Sequence, residues 1–109
     1  MSNQIILANA FSLQMLASDI KDAHFETITI DKMVSLAHDN TVISAVGHVD
    51  TATVLSSMLG VEIPQNRINL HLEKGDSVYV AQIMGGRLPE GATTLPENFS
   101  LKFIRVTVD

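Results

Sequence analysis

One histidine stands directly before an amphipathic segment, where its side chain and the start of a helix would face the same space. His48 follows Gly47 in the stretch SAVGHVDTATVLSSML. The first N–H groups of a helix are unpaired and carry a partial positive charge, which favours a bound phosphate. An imidazole there can give or take a proton near neutral pH. His48 is therefore a candidate general acid beside an anion, and the alternative is a capping or loop histidine without chemistry.

A second set of reactive side chains lies in the loop GGRLPEG, where Arg87 and Glu90 are three residues apart around Pro89. The planar guanidinium group suits phosphate oxygens, and the glutamate could orient the arginine or a sugar hydroxyl. The alternative is a solvated pair of opposite charges on a surface turn.

Neutral polar side chains and a further arginine could complete such a site. Gln82 lies in phase with apolar neighbours on a predicted strand, and a glutamine on an apolar face has to be hydrogen-bonded or lie at a cavity. Arg67 opens the preceding apolar segment, as a second phosphate contact or as a surface charge. Asn9, Ser12 and Gln14 could line the same cavity, although turn formation explains them equally well.

The residues give little support to a metal centre. His48 and Asp50 would supply two ligands, but no further histidine or carboxylate stands at a recognisable ligand spacing. The chain contains no cysteine, which excludes a thiolate zinc site, a disulfide framework and a cysteine nucleophile. No metal and no cofactor are expected, and His24, His38 and His71 are assigned to the fold or the surface.

Composition limits the class of protein. The chain has 109 residues, of which 46% are hydrophobic, and its formal net charge at pH 7 is −5. These values predict one globular domain over residues 1–109, and the scattered Lys and Arg residues form no basic stripe for DNA or RNA. The first residues lack a basic leader, and their apolar run is too short to span a bilayer. We expect a soluble, cytoplasmic protein with no DNA or membrane partner.

The elements that must position these residues read as a mixed sheet. Strands are predicted at residues 4–8, 24–30, 67–73, 77–83 and 101–108. Residues 67–73 and 77–83 would form a hairpin with Lys74, Gly75 and Asp76 at its tip. The natural arrangement is an α/β (α+β) fold with a mixed sheet of about five strands and helices packed mainly on one face.

Helices are expected between the strands. Asp31 would cap a short helix, and an apolar stripe from Asp50 predicts a longer helix that ends at Gly60. Residues 40–46 are ambiguous. Their β-branched side chains favour a strand, but a capping Asn40 and the following Gly47 favour a short helix, which is the interpretation adopted.

Several motifs together resemble those of one known family. The stretches LANAFSLQML, SAVGH, NRINLHLEKGDSVYVAQI and RLPEG occur in an order and spacing similar to those of small viral and mobile-element proteins. That family was long described as a domain of unknown function, and it includes the type III anti-CRISPR ring nucleases. The resemblance runs from Ile5 to the terminal VTVD. The motifs are weak apart and specific as a set.

The resemblance implies an enzyme that acts on a cyclic oligoadenylate in the cytoplasm of an infected host. Its members form homodimers and cleave the second messenger cyclic tetra-adenylate, without a metal, to linear di-adenylate with a 2′,3′-cyclic phosphate. Carried onto this sequence, His48 protonates the leaving 5′-oxygen after attack by the ribose 2′-OH. Arg87 holds the phosphate, and Glu90 orients Arg87 or a ribose hydroxyl.

The same resemblance assigns six residues to substrate binding, namely Asn9, Ser12, Gln14, Thr51, Arg67 and Gln82. The chain departs from the family pattern at Gln14, where some members carry asparagine, and at Val49 and Asp50 after the histidine. An extra glycine before Arg87 bears on the shape of the loop. Two other classes stay open, a sponge that sequesters a cyclic nucleotide without cutting it and a module that binds a protein through a sheet edge.

Overall fold

A computed structural model of the chain describes residues 3–109, in which five β-strands, two α-helices and one 3₁₀ turn are formed. The strands are β1 (Gln4–Ala8), β2 (Ala23–Ile28), β3 (Thr41–Ala45), β4 (Ser77–Met84) and β5 (Ser100–Val108). The helices are α1 (Ile30–Asp39) and α2 (Val49–Leu59), and the 3₁₀ turn is Leu13–Met15. The predicted α+β class with a five-stranded mixed sheet is confirmed. Neither helix in this part of the chain is long and apolar enough to cross a membrane.

The strand order places three strand ends along one edge of the sheet. The order is β2-β5-β4-β1-β3. Strand β1 runs parallel to both β3 and β4, with Ala8 opposite Ala45 on one side and Val80 on the other. Strand β5 is antiparallel to β4 and to β2. Because β1, β3 and β4 are parallel, the residues that follow them emerge at the same edge.

The two faces of the sheet are covered in different ways. On one face, α1 and α2 bury an apolar cluster that includes Leu55 against Leu7 and Phe103. On the other face, irregular segments close the core, with Leu72 packed among strand residues that include Val78. The helices therefore cover one face, as predicted, and loops cover the second.

Residues 40–46 were expected to form a short helix, and this prediction is wrong. Residues 41–45 form β3, paired along the whole length of β1. Asn40 belongs to the preceding helix, because its Nδ2 donates a hydrogen bond to the carbonyl oxygen of Leu36 at 2.8 Å and it is the C-cap of α1. With Asn40 assigned to the end of α1, the β-branched Val42 and Ile43 decide the conformation.

The predicted first arm of the hairpin, residues 67–73, is also wrong. A strand has two edges, and β1 and β5 occupy both edges of β4, so residues 67–73 have no free partner there. Leu70 and Leu72 instead pack on the second face of the sheet, whereas Ile68 is exposed. Their only strand-like pairing within residues 3–109 is an isolated bridge between Leu72 and Leu16.

Local capping preferences account for both of these helix ends, but the N-cap of α1 is not the residue predicted. Thr29, and not the predicted Asp31, caps α1, because its Oγ1 accepts a hydrogen bond from the Lys32 amide at 3.2 Å. Gly60 ends α2 as predicted, in the left-handed conformation at a φ of 70°.

The buried position of Leu55 in α2 gives a stability test. Replacing Leu55 by alanine should lower the free energy of unfolding by about 2–5 kcal/mol, since the side chain is fully buried and leaves a cavity. Urea denaturation measures the loss. The control Ile30→Ala removes an aliphatic side chain that is 43% exposed at the start of α1 and should cost roughly 1 kcal/mol or less. Equal losses for the two variants would contradict the assigned core.

Candidate functional site

The candidate site lies at the C-terminal ends of the parallel strands β1, β3 and β4. His48 follows β3 and is the N-cap of α2, with an extended backbone at φ −122° and ψ 128°. Its carbonyl oxygen accepts the first helical hydrogen bond, from the Ala52 amide at 3.0 Å. Its imidazole makes no capping bond within the described chain and is exposed. The ring is therefore free to meet a ligand at the helix N-terminus.

The turn before His48 is fixed by contacts on both sides of Gly47. Asn9, the first residue after β1, accepts a hydrogen bond from the Gly47 amide at its Oδ1, at 3.3 Å. The side-chain amide of Gln65 donates to the Gly47 carbonyl oxygen at 3.2 Å. Arg67 packs over the same glycine, where an added Cβ would lie 3.4 Å from the Arg67 Cγ. These contacts set the direction in which the chain enters α2.

One cleft, of about 210 Å³, brings five of the predicted residues together. Its polar lining residues are Asn9, His48, Thr51, Gln82 and Arg87. Thr51 lies in the first turn of α2 and is nearly buried, whereas Gln82 projects from β4 and is exposed. Asn9 follows β1, Gln82 and Arg87 lie on or after β4, and His48 and Thr51 lie at the start of α2.

An adjoining cleft, of about 350 Å³, adds Glu90 to His48 and Arg87. Arg87 and Glu90 are exposed on the loop after β4. Within residues 3–109 the two side chains form no ion pair, since the one salt bridge found there joins His71 and Glu73 at 4.0 Å. The guanidinium group of Arg87 is therefore not neutralised by its loop neighbour.

Arg67 lines a different concave surface from Arg87. It lines a third concave surface, of about 360 Å³, together with Asn9, His48 and the apolar side chains of Ile68 and Leu70. His48 consequently lines all three concave surfaces, of which Arg87 lines two and Arg67 lines the third.

Ser12 and Gln14 lie outside these clefts. They line an adjoining depression of about 250 Å³, which shares Met15, Ile68 and Leu70 with the surface lined by Arg67. The Ser12 Oγ accepts a hydrogen bond from the Gln14 amide at 3.2 Å and caps the 3₁₀ turn. In this chain the serine therefore has a local role in the turn.

Two features of the site were missed by sequence reasoning. Asp50 was considered only as a metal ligand, yet its Oδ1 accepts a hydrogen bond from the Gly91 amide at 3.2 Å. Leu88 lines two of the clefts, and an apolar residue in a Gly- and Pro-rich loop carries no chemical signal. No group of three or more His, Cys, Asp or Glu residues that could hold a metal is found in the described part of the chain.

The arrangement combines groups that favour a bound anion with a histidine, a residue type that can exchange a proton near neutral pH. The N-terminus of α2 and the side chain of Arg87 both favour negative charge. His48 stands at that helix end, and the hydroxyl of Thr51 and the amide of Gln82 line the same cleft. These groups suit an anionic ligand better than an uncharged one.

Comparisons with known proteins place this geometry in a viral context. The chain is 41% identical over 68 residues to protein 26 of Sulfolobus islandicus filamentous virus, covering 62% of this chain and 57% of that protein. It is 27% identical over 97 residues to ORF116 of Acidianus filamentous virus 1, covering 89% and 83% of the two chains. It is 37% identical over 60 residues to ORF117 of Acidianus two-tailed virus, covering 55% and 50%.

A solved structure has the same fold. B116 of Sulfolobus turreted icosahedral virus superposes with a TM-score of 0.78 over 96% of this chain and 99% of that chain. The two sequences are 22% identical, so this match establishes the fold alone. The family model STIV B116-like matches residues 5–104, a range that contains every cleft-lining residue described above. The chain therefore belongs to the STIV B116-like family of viral proteins.

Proposed function

We propose that this protein is a ring nuclease that opens cyclic tetra-adenylate and so counters type III CRISPR immunity. The observation that carries the proposal is the cleft shared by His48, at the N-terminus of α2, and Arg87. The resemblance of the surrounding motifs to the ring nucleases supports it, and those motifs lie largely within the residues that the family model matches.

The proposed reaction uses a nucleophile that belongs to the substrate. The ribose 2′-oxygen attacks the adjacent phosphorus, the bond from phosphorus to the 5′-oxygen breaks, and a 2′,3′-cyclic phosphate remains. The leaving 5′-oxygen takes a proton from the His48 imidazolium, and the 2′-OH proton passes to solvent. General acid catalysis of this kind contributes about 10²–10⁴-fold to a rate.

In the proposed mechanism, donor groups of the folded protein stabilise the negative charge of the phosphate. The N–H groups at the start of α2 and the guanidinium of Arg87 stabilise the negative charge that builds up on the phosphoryl oxygens. Glu90 orients Arg87 or a ribose hydroxyl. Asn9, Thr51 and Gln82 supply polar contacts to the ribose and the base, and Arg67 binds a neighbouring phosphate from the adjoining concave surface.

The size of the substrate favours a two-fold homodimer. The concave surfaces at His48 have volumes of about 210, 350 and 360 Å³, at the lower end of the roughly 300–1,000 Å³ typical of small-molecule sites, and a ring of four nucleotides is large for one of them. Exposed apolar side chains at or beside the cleft residues support a contact surface there; they are Leu13, Val49, Ile68 and Met84. A dimer would place two copies of His48 around one ring.

The direct test incubates the purified protein with cyclic tetra-adenylate in excess EDTA and identifies the products by mass. We expect linear products that end in a 2′,3′-cyclic phosphate. The variant His48→Ala should lose cleavage while it binds the ring within a few-fold, because the acid acts on the leaving group.

Each other outcome of that assay would indicate a different function or mechanism. Tight binding without cleavage by the wild type would indicate a sponge, and no binding at all would favour a protein-interaction module. Activity restored only by Zn²⁺ or Mn²⁺ would overturn the metal-independent mechanism.

In this mechanism the Arg87 guanidinium contacts the phosphate both in the bound substrate and in the transition state. Replacing it by alanine should weaken ring binding and slow single-turnover cleavage, each by about 10–100-fold, the value of one charge-assisted hydrogen bond. The matched control is Arg105→Ala, which removes the same charge from an exposed position on β5. If both variants behave alike, the effect is one of net charge and the role of Arg87 is wrong.

If each subunit of the proposed dimer supplies one acid, a dimer with a single acid should accumulate a reaction intermediate. A tandem fusion that joins a wild-type copy to a His48→Ala copy keeps both sets of binding residues but only one acid. In a single turnover it should open the ring once and accumulate a linear tetranucleotide. Formation of two dinucleotides at the wild-type rate, without that intermediate, would contradict the two-acid model.

A further inference from the structure

The loop that carries Arg87 and Glu90 is attached to the rest of the protein at its two ends. At the start, Gly85 lies so close to the 98–99 backbone that an added Cβ would be 2.9 Å from the Asn98 carbonyl oxygen. At the end, the Gly91 amide donates to the Asp50 Oδ1 at 3.2 Å. Among the residues described, this is the one hydrogen bond that joins residues 85–91 to α2.

The second attachment involves the helix that begins at His48. Asp50 lies two residues after His48, in the first turn of α2, and lines the same cleft as His48, Arg87 and Glu90. Gly91 has a φ of 77°, a left-handed conformation that favours glycine and turns its amide at this point. The Asp50 contact therefore fixes the loop relative to the helix that carries the acid, and not merely relative to the sheet.

We propose that Asp50 is a positioning residue, whose carboxylate holds the Gly91 amide and thereby sets where Arg87 and Glu90 stand relative to His48. This inference rests on the proposed function for its effect on rate, but not for the contact itself. In this proposal Asp50 takes no direct part in the reaction. This role needs a side chain of the correct length that carries an acceptor oxygen, and it does not need the negative charge.

Two substitutions separate the oxygen from the charge. Asp50→Asn keeps a side-chain carbonyl oxygen at the same position and removes the charge, whereas Asp50→Ala removes both. Both variants lose the favourable interaction of a carboxylate with the N-terminus of α2, so any loss of thermal stability from that source is shared. Alanine is well tolerated in a helix, so Asp50→Ala keeps α2 intact. The matched controls are Asp31→Asn and Asp31→Ala, in the first turn of α1 and outside the described clefts.

The first measurement is independent of activity. Trypsin can cut after Arg87 within the loop and after Lys74 at the turn 73–76, which serves as an internal control. We expect Asp50→Ala to be cut after Arg87 several-fold faster relative to Lys74 than the wild type, and Asp50→Asn to be cut like the wild type. An unchanged Arg87 to Lys74 ratio in Asp50→Ala would overturn the proposed attachment.

The second measurement is single-turnover cleavage of cyclic tetra-adenylate. Asp50→Ala should be slower by roughly 10-fold or more, towards the 10²-fold that a misplaced catalytic group can cost, and Asp50→Asn should recover most of that loss. Equal impairment of both variants would overturn the proposal, because charge and not position would then matter. If the wild type does not cleave the ring, the proposed function fails while the trypsin ratio still decides whether Asp50 holds the loop.

Discussion

The parallel pairing of β1 with both β3 and β4 is the constraint on which the candidate site depends. Parallel strands end on the same side of a sheet, so the residues after β1, β3 and β4 meet there although they are far apart in the chain. Asn9, His48 and Arg87 each follow one of these strands. The site therefore lies outside the carboxyl ends of the strands, where open α/β sheets commonly bind their ligands.

The apolar face of α2 then decides where its N-terminus points. Leu55 and Leu59 are buried against the sheet, and the first turn of the same helix carries Thr51 into the cleft. A helix is stiff over three turns, so packing near its C-terminal end orients the N–H groups at its start. The contacts of Asn9 and Gln65 with Gly47 complete the orientation. Hydrophobic burial thus positions polar groups that contribute nothing to the core.

How much of this could be read from the sequence depended on the range of each signal. Local signals located β1, α2, β4 and β5 and the glycine that ends α2, because alternation and capping act within a few residues. The signals failed in two ways. Asn40 is a plausible cap for a helix on either side of it, and only its hydrogen bond to Leu36 assigns it to the end of α1. Residues 67–73 carry a strand-like pattern, but both edges of β4 are occupied by strands that are distant in the sequence. For the site, residue types suggested His48 and Arg87, but only the strand order brings them into one cleft. Ser12 and Gln14 line an adjoining depression and not that cleft.

A net charge of −5 at first opposes the binding of an anionic ring. Charges separated by more than about 8 Å are largely screened at physiological salt, so the groups that matter are those lining the clefts. There the two arginines and the N-terminus of α2 stand against the carboxylates of Asp50 and Glu90. The Asp50 carboxylate is engaged by the Gly91 amide and lies at the positive end of the helix, and both reduce its repulsion of a phosphate. The distant acidic residues act mainly on the rate of approach. The proposed affinity for an anion therefore depends on local geometry, and the hydrogen bond from the Gly91 amide also offsets part of the Asp50 charge.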